Sequence, residues 1–133
     1  MKGVYVLIVS VNHNVRTVIG ALGIVQFKKG IYAYVGSAQN NLEKRLARHL
    51  GAIKKKFWHI DYLLDSPGVS IRKVLTLEAE KAEECRLADL LRQKGSPVPS
   101  FGCSDCKCNS HLFRIGSYEF LKERLQESVV GSA

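Results

Sequence analysis

An apolar strand, a glycine turn and a charged helix follow one another near the middle of this 133-residue chain. Residues 31–35 alternate as a strand, with Tyr32 and Tyr34 on one face. The small residues 36–38 then form the predicted turn into the helix. With strands leading and helices following along the chain, the sequence predicts a domain of mixed α and β structure.

The helix after this turn has a recognisable start and one apolar face. Asn40, followed three residues later by Glu43, resembles a capping box, so the helix should begin near Asn40 or Asn41. The buried stripe is predicted to consist of Leu42, Leu46 and Leu50.

The basic residues of this helix fall into two pairs. Arg45 and His49 border the apolar stripe, where they can line a cleft, whereas Lys44 and Arg48 point away and are interpreted as solvated charge. An arginine close to small residues and a helix N-terminus is suited to binding a phosphate. The alternative is a solvated helix face after a common glycine turn.

Composition favours a polyanionic partner. The formal net charge of +8 favours contact with nucleic acid. The hydrophobic fraction of 46% is typical of a folded protein, and the length predicts one domain spanning residues 1–133. No apolar run approaches the roughly 20 residues that span a bilayer, so we expect a soluble, cytoplasmic protein without a membrane partner. Its four cysteines should then be reduced unless they bind metal or the protein comes from a hyperthermophile.

The rest of the chain continues the mixed pattern. Residues 57–64 are apolar but of uncertain type, and residues 96–111 form a Cys-rich loop. Further strands are predicted at residues 3–11, 16–27 (one or two strands broken at glycines), 69–77 and 111–115, and further helices at 79–94 and 118–126. The fold class is therefore α/β (α+β).

The helix over residues 79–94 carries three acids beside its apolar stripe. The favourable position of carboxylates near a helix N-terminus explains Glu80 and Glu83. Glu84 lies deeper, and an inward-facing carboxylate needs a partner, for which either a divalent metal or Arg45 would serve.

The Cys-rich loop offers soft metal ligands. Four of them lie within nine residues and could bind zinc tetrahedrally: Cys103, Cys106, Cys108 and His111. The alternative is reduced structural cysteines, because one short loop seldom closes all four positions.

Residues 54–59 place three lysines before two aromatic residues, Phe57 and Trp58. Such a run suits backbone contact plus base stacking, but we interpret the aromatic pair as core and the lysines as an electrostatic aid to nucleic-acid binding. In an extended segment, His59 and Asp61 would share one face and form a structural pair or line a site; we interpret them as a structural pair. Nucleic-acid contacts are assigned to Lys44, Arg48, Lys54, Lys55 and Lys56.

Several motifs resemble the GIY-YIG endonuclease superfamily, in particular a largely archaeal branch of it. The resemblance covers about residues 3–113 and includes the runs 58–64, 104–106 and 110–113. Its main supports are Gly3-Val4-Tyr5, Tyr34-Val35-Gly36-Ser37-Ala38, Arg45 with His49, and Glu84-Cys85-Arg86-Leu87-Ala88.

The resemblance implies a GIY-YIG-like fold, a small mixed or antiparallel sheet flanked by helices, and metal-dependent phosphodiester cleavage. Glu84 would hold a single Mg²⁺ or Mn²⁺, and Arg45 would stabilise charge on the transition-state phosphoryl group. Tyr5 and Tyr34 would line the site, one of them positioning or deprotonating the attacking water, and His49 could assist.

Two departures from the family pattern are visible. The two glycine–tyrosine motifs are separated by well over twice the usual distance, which implies an inserted hairpin. The asparagine often found shortly after the acidic helix has no clear counterpart, since Asn109 comes late.

The leading hypothesis is a metal-dependent DNA endonuclease, with repair or recombination structures as candidate substrates. The alternative is a non-catalytic nucleic-acid-binding module of the same fold, with zinc as a candidate stabiliser. A third hypothesis is an RNA-processing nuclease.

Overall fold

The computed structural model describes residues 2–51, 55–102 and 108–127. Eight strands and three helices lie in these ranges. The strands are β1 (Gly3–Val11), β2 (Val15–Val18), β3 (Ile24–Phe27), β4 (Gly30–Ala38), β5 (Val69–Leu77), β6 (Gly95–Pro97), β7 (Leu112–Ile115) and β8 (Gln126–Glu127). The helices are α1 (Leu42–Leu50), α2 (His59–Leu64) and α3 (Ala82–Lys94), with short 3-10 helices at Gly20–Leu22 and Glu119–Glu123.

Six strands form one antiparallel sheet in the order β6-β7-β4-β1-β5-β8, and β2 pairs with β3 in a separate hairpin. The predicted class, a small sheet flanked by helices, is therefore confirmed. The hairpin occupies the long interval between β1 and β4, so the inserted hairpin is confirmed as well. Among the described residues, no helix combines the length and the apolar character needed to cross a membrane.

The central strand β1 organises the core. All nine of its residues are buried, because β4 and β5 flank it and both of its faces are covered. Tyr5, Leu7 and Val9 face one layer, which α1, α2 and the hairpin cover. The intervening side chains face the other layer, which α3 and the Glu119–Glu123 segment cover. This two-sided burial explains why the strand is almost continuously apolar.

The turn predicted at residues 36–38 is wrong. Strand β4 runs to Ala38 instead of ending at Val35, and Gly36 pairs with Tyr5 across the ladder. The residues read as a turn are therefore strand residues. At Gly36, the absence of a side chain reflects close packing against Tyr5 of β1, not a change of chain direction.

Other element boundaries also shift. The cap of α1 is Asn41, whose side chain accepts a hydrogen bond from Lys44 N at 2.9 Å, and not Asn40. Helix α3 begins at Ala82. Residues 95–97 form the edge strand β6 within the predicted loop, and the last predicted helix is only the short Glu119–Glu123 segment before β8.

The interpretation of Arg48 as solvated charge is wrong. Its guanidinium makes two hydrogen bonds, at 2.8 and 2.9 Å, to the fully buried carboxylate of Asp61. That carboxylate also accepts from the backbone N–H groups of Phe57 and Trp58. Although burial alone would raise the pKa of Asp61, these hydrogen bonds lower it overall. The predicted pairing of Asp61 with His59 is wrong, because α2 is helical and Asp61 binds Arg48 instead.

Arg48→Met should destabilise the protein by about 3 kcal/mol, because it leaves the Asp61 charge buried without its cation. Lys44→Met is the matched control on the same helix, where Lys44 is exposed, and should change the free energy of unfolding by no more than about 0.5 kcal/mol. Urea unfolding of both variants checks this. Equal effects of the two substitutions would mean that the ion pair does not stabilise the fold.

Candidate functional site

A cavity of about 310 Å³ opens at the end of the sheet where β1 begins and β4 ends. It collects residues that are far apart in the sequence, from both central strands and all three helices. Its lining consists of Tyr5, Tyr34, Gly36, Ser37, Arg45, Phe57, Trp58, His59, Lys81, Glu84 and Gly102. Four of the five residues predicted as catalytic are among them.

Tyr5 lies across Gly36. The two residues are directly opposed in the β1–β4 ladder, and a Cβ atom built on Gly36 would lie 2.5 Å from the Tyr5 hydroxyl oxygen and 2.6 Å from Cζ. Real Cβ atoms do not approach other atoms so closely, so any larger residue at position 36 would displace the ring. The glycine of the second motif thus makes room for the tyrosine of the first.

His49 contacts the hydroxyl group of Tyr5. Its Nε2 lies 2.8 Å from the Tyr5 hydroxyl oxygen, and the imidazole is 3% exposed. Burial lowers the pKa of His49 to about 4, so the ring is neutral at neutral pH. Burial likewise raises the pKa of Tyr5 to about 12, against the opposing effect of the Arg45 charge. The result is a neutral Tyr–His pair in which Tyr5 lines the cavity and His49 lies behind it.

Tyr34 contributes a second buried phenol. It packs edge-on against His49 and against Phe101, with ring centroids 6.4 and 6.2 Å apart. Burial raises the pKa of Tyr34 well above its usual value, and the nearby Tyr5 and Glu84 act in the same direction. Both tyrosines therefore keep their protons at neutral pH and can act as hydrogen-bond donors.

Arg45 provides the positive charge of the cavity. Its Nη1 donates to the carbonyl oxygen of Ser37 at 3.1 Å, and its Cζ lies 4.4 Å from the centre of the Trp58 ring. The strand carbonyl and the indole together restrict the planar guanidinium. An arginine held in this way is prepared to bind an anion without losing much conformational freedom.

Among the described residues that line the cavity, Glu84 is the only carboxylate. It comes from the first turn of α3, and its side chain is 12% exposed. The sequence left a metal or Arg45 as its partner, whereas the structure places His111 Nδ1 at 3.4 Å from Oε2. A single carboxylate that reaches a polar cavity fits Mg²⁺, which commonly takes one or two protein carboxylates and completes its shell with water and phosphate oxygens.

Several cavity residues were assigned otherwise from the sequence. Phe57 is 63% exposed at the cavity, so its interpretation as a core residue is wrong. Trp58 is partly buried. His59 Nδ1 accepts from Gly102 N at 2.8 Å, which leaves its neutral ring with the proton on Nε2. The run 54–59 carried the signal for these three residues, but nothing in the sequence singled out Lys81.

The lysines predicted to bind nucleic acid have separate environments. Lys55 Nζ lies 5.3 Å from the Phe57 ring centre, beside the cavity. Lys56 pairs with Asp65 at 3.1 Å, away from it. Lys44 is exposed on α1, and Lys54 lies outside the described residues.

The predicted zinc ligands are only partly described. Cys103 and Cys106 lie outside the described residues, while Cys108 and His111 lie close to Cys85 of α3, which was not among the predicted metal ligands. The signal available was the cysteine count, since Cys85 is the fourth and only remaining cysteine of the chain. Asn109 lies with Cys85 and Cys108 in a different cavity from Glu84.

One family model, described as domain of unknown function DUF123, matches residues 4–132. The chain belongs to this family. The match extends over nearly all of the six-stranded sheet and includes every residue that lines the cavity. No curated protein and no solved structure matches the DUF123 chain.

Gly36→Ala should displace Tyr5 and destabilise the protein by about 1–3 kcal/mol, because the added methyl group overlaps the ring. The matched control is Gly116→Ala, where no described atom lies within 4 Å of the added carbon. Chemical denaturation of both variants checks this. In a Tyr5→Leu background, the cost of Gly36→Ala should fall, and an unchanged cost would show that the ring is not what requires the glycine.

Proposed function

We propose that this protein is a metal-dependent endonuclease of the GIY-YIG type that hydrolyses phosphodiester bonds in DNA, with repair or recombination structures as candidate substrates and the cytoplasm as its location. The observation that carries the proposal is the convergence of Arg45, Glu84 and two tyrosines on one cavity. Their motifs are spread over some 80 residues of sequence. The formal charge of +8 supports a polyanionic substrate.

Arg45 would bind the scissile phosphate. Its guanidinium can donate two parallel hydrogen bonds to phosphate oxygens, and the Ser37 carbonyl and the Trp58 ring already orient it. Negative charge spreads over these oxygens as the nucleophile adds, so a fixed arginine stabilises the transition state more than the ground state.

Glu84 would hold the divalent ion. When bound, Mg²⁺ or Mn²⁺ would supply positive charge beside the phosphate oxygens, which would make the phosphorus atom more electrophilic. The His111 imidazole at 3.4 Å restricts the carboxylate from the side of the loop, which keeps Glu84 directed at the cavity.

The tyrosines would orient the reacting groups. In hydrolysis, a water oxygen bonds to phosphorus, the bond to one ester oxygen breaks, and that oxygen gains a proton. Because the pKa of Tyr5 is raised to about 12 in the free protein, we assign Tyr5 to hydrogen bonding with the water or a phosphate oxygen. The His49 ring, whose Nε2 lies 2.8 Å from the Tyr5 oxygen, fixes this hydroxyl group through a hydrogen bond. Where Nε2 accepts, the Tyr5 oxygen can accept from the water; where Nε2 donates, the hydroxyl can donate to a phosphate oxygen.

The aromatic rim would contact a nucleobase. Phe57 is exposed at the cavity, and Lys55 and Arg48 each approach its ring centre to 5.3 Å. An exposed ring flanked by cations is the combination with which proteins bind single-stranded nucleic acid, through base stacking and backbone charge. This supports a substrate with an unpaired nucleotide next to the scissile phosphate, as in flaps and branched DNA.

Cleavage of branched, flap, single-stranded and duplex oligonucleotides with Mg²⁺ or Mn²⁺ tests the activity. We expect metal-dependent cutting that falls at least about 100-fold in Glu84→Gln and in Arg45→Lys, the scale of losing one transition-state contact. Glu83→Gln and Arg86→Lys are the matched controls, because these residues pair with each other on α3 outside the cavity. Both controls should cut like the wild type.

Two results would count against the proposal. Cutting that survives Glu84→Gln would point to a contaminating nuclease or to a different site. Salt-sensitive binding without any cutting would favour a non-catalytic nucleic-acid-binding module. The high pKa values of both tyrosines favour this second candidate, because neither phenol is a ready base in the free protein. Paired DNA and RNA oligonucleotides separate either function from an RNA-processing role.

Phe57→Ala should weaken binding of a single-stranded oligonucleotide about tenfold, since a stacked base contributes about 1–3 kcal/mol. Ile24→Ala is the control, because Ile24 is similarly exposed, at 59%, but lies on the β2–β3 hairpin. Fluorescence anisotropy at constant salt measures both, and Phe57→Trp should retain affinity. Equal affinities of Phe57→Ala and Ile24→Ala would exclude stacking on this ring.

A further inference from the structure

We propose that Cys85, Cys108 and His111 form a zinc site, separate from the divalent-metal site proposed at Glu84. These residues come from α3 and from the segment before β7, so the site joins two parts of the chain that are distant in sequence. The inference concerns a structural metal, and it holds whether or not the protein is a nuclease.

The three side chains already form a compact group of soft ligands. Cys85 Sγ and Cys108 Sγ lie 2.9 Å apart, and the ligand atoms of all three residues lie within 4.8 Å of one another. In a tetrahedral site with Zn–S bonds of about 2.3 Å, ligand atoms lie about 3.5–3.8 Å apart. Side-chain adjustments of about 1 Å would therefore bring all three into contact with one ion.

The surroundings suit zinc better than Mg²⁺. Two thiols and an imidazole are typical zinc ligands, whereas Mg²⁺ requires oxygen ligands in an octahedral arrangement. His111 is 2% exposed, and its backbone is fixed by hydrogen bonds to Val35 and Phe101. The two cysteines also line a cavity of about 330 Å³, which provides a path by which the ion can reach them.

The backbone before the cysteine loop also lies against this group. A Cβ atom built on Gly102 would lie 3.2 Å from His111 Cβ, so the chain enters the loop next to His111, and Cys108 lies where it leaves. A tetrahedral ion takes a fourth ligand. The sequence offers Cys103 and Cys106, which lie outside the described residues, and variants of these residues can test each of them.

The site would position Glu84 through His111. The imidazole of His111 lies beside the two thiols and, through Nδ1, 3.4 Å from the Glu84 carboxylate. A bound zinc ion would fix this ring, and the partners around a metal ligand commonly orient it in the same way. Glu84 and Cys85 are adjacent in α3, so both contacts hold the same helical turn.

Metal analysis of the purified full-length protein tests the site without reference to activity. We expect about one zinc per chain, falling to near none in Cys85→Ser. The control is Asp89→Asn, because Asp89 lines the same cavity but offers no soft ligand, and this variant should keep its zinc. Replacement of zinc by Co²⁺ should give thiolate-to-cobalt absorption, and this absorption should be weaker in Cys85→Ser. The melting temperature of each variant is recorded in parallel.

Three outcomes would overturn the proposal. Wild-type protein without zinc, after expression and refolding with zinc present, would exclude the site. Thiol titration of the denatured, metal-free protein that finds two free thiols in the wild type but three in Cys85→Ser and in Cys108→Ser would indicate a Cys85–Cys108 disulfide instead. Zinc that survives Cys85→Ser but disappears in Cys103→Ser or Cys106→Ser would place the ion within the loop alone, as the spacing of its cysteines suggested.

Discussion

The pairing of Tyr5 with Gly36 is the contact on which the rest of the site depends. It fixes the register of the two central strands, and that register sets which residues meet at the end of the sheet. A slip by one residue would turn every side chain of β1 to the opposite layer. Tyr5 would then leave the cavity and the apolar faces would no longer match their helices. The same pairing therefore specifies both the core and the candidate site.

Much of the fold follows from local patterns. Strands β1 and β5 occupy the predicted residues because continuous or alternating apolar runs end at clear turn residues. The grouping of Arg45 with Glu84 was anticipated from helix geometry and from the resemblance to nucleases. The extension of β4 through Gly36 was not, because glycine before a helix usually marks a turn and only the partner strand shows why it is needed here.

The features that escaped prediction are contacts between distant residues. Arg48 and Asp61 are 13 positions apart, and their ion pair exists because α2 is a helix packed beside α1, which no local pattern indicates. Cys85 was overlooked for the same reason, since its neighbours in sequence are helical and its neighbours in space come from a loop. Exposed Phe57 resembled a core residue because hydrophobicity alone does not distinguish burial from use at a surface.

The two edges of the main sheet affect whether copies of the protein can associate by pairing their strands. Within the part of the chain that the structure describes, the outermost strands, β6 and β8, have three and two residues, and β6 ends in Pro97, which has no N–H to donate. Short edges and proline leave a neighbouring strand little backbone to pair with. Strand addition at the β6 edge would therefore be a poor route to fibres. On the other side, the described part of β8 covers only Leu75 and Thr76, so the start of β5 is the edge at which a second copy has backbone to pair with.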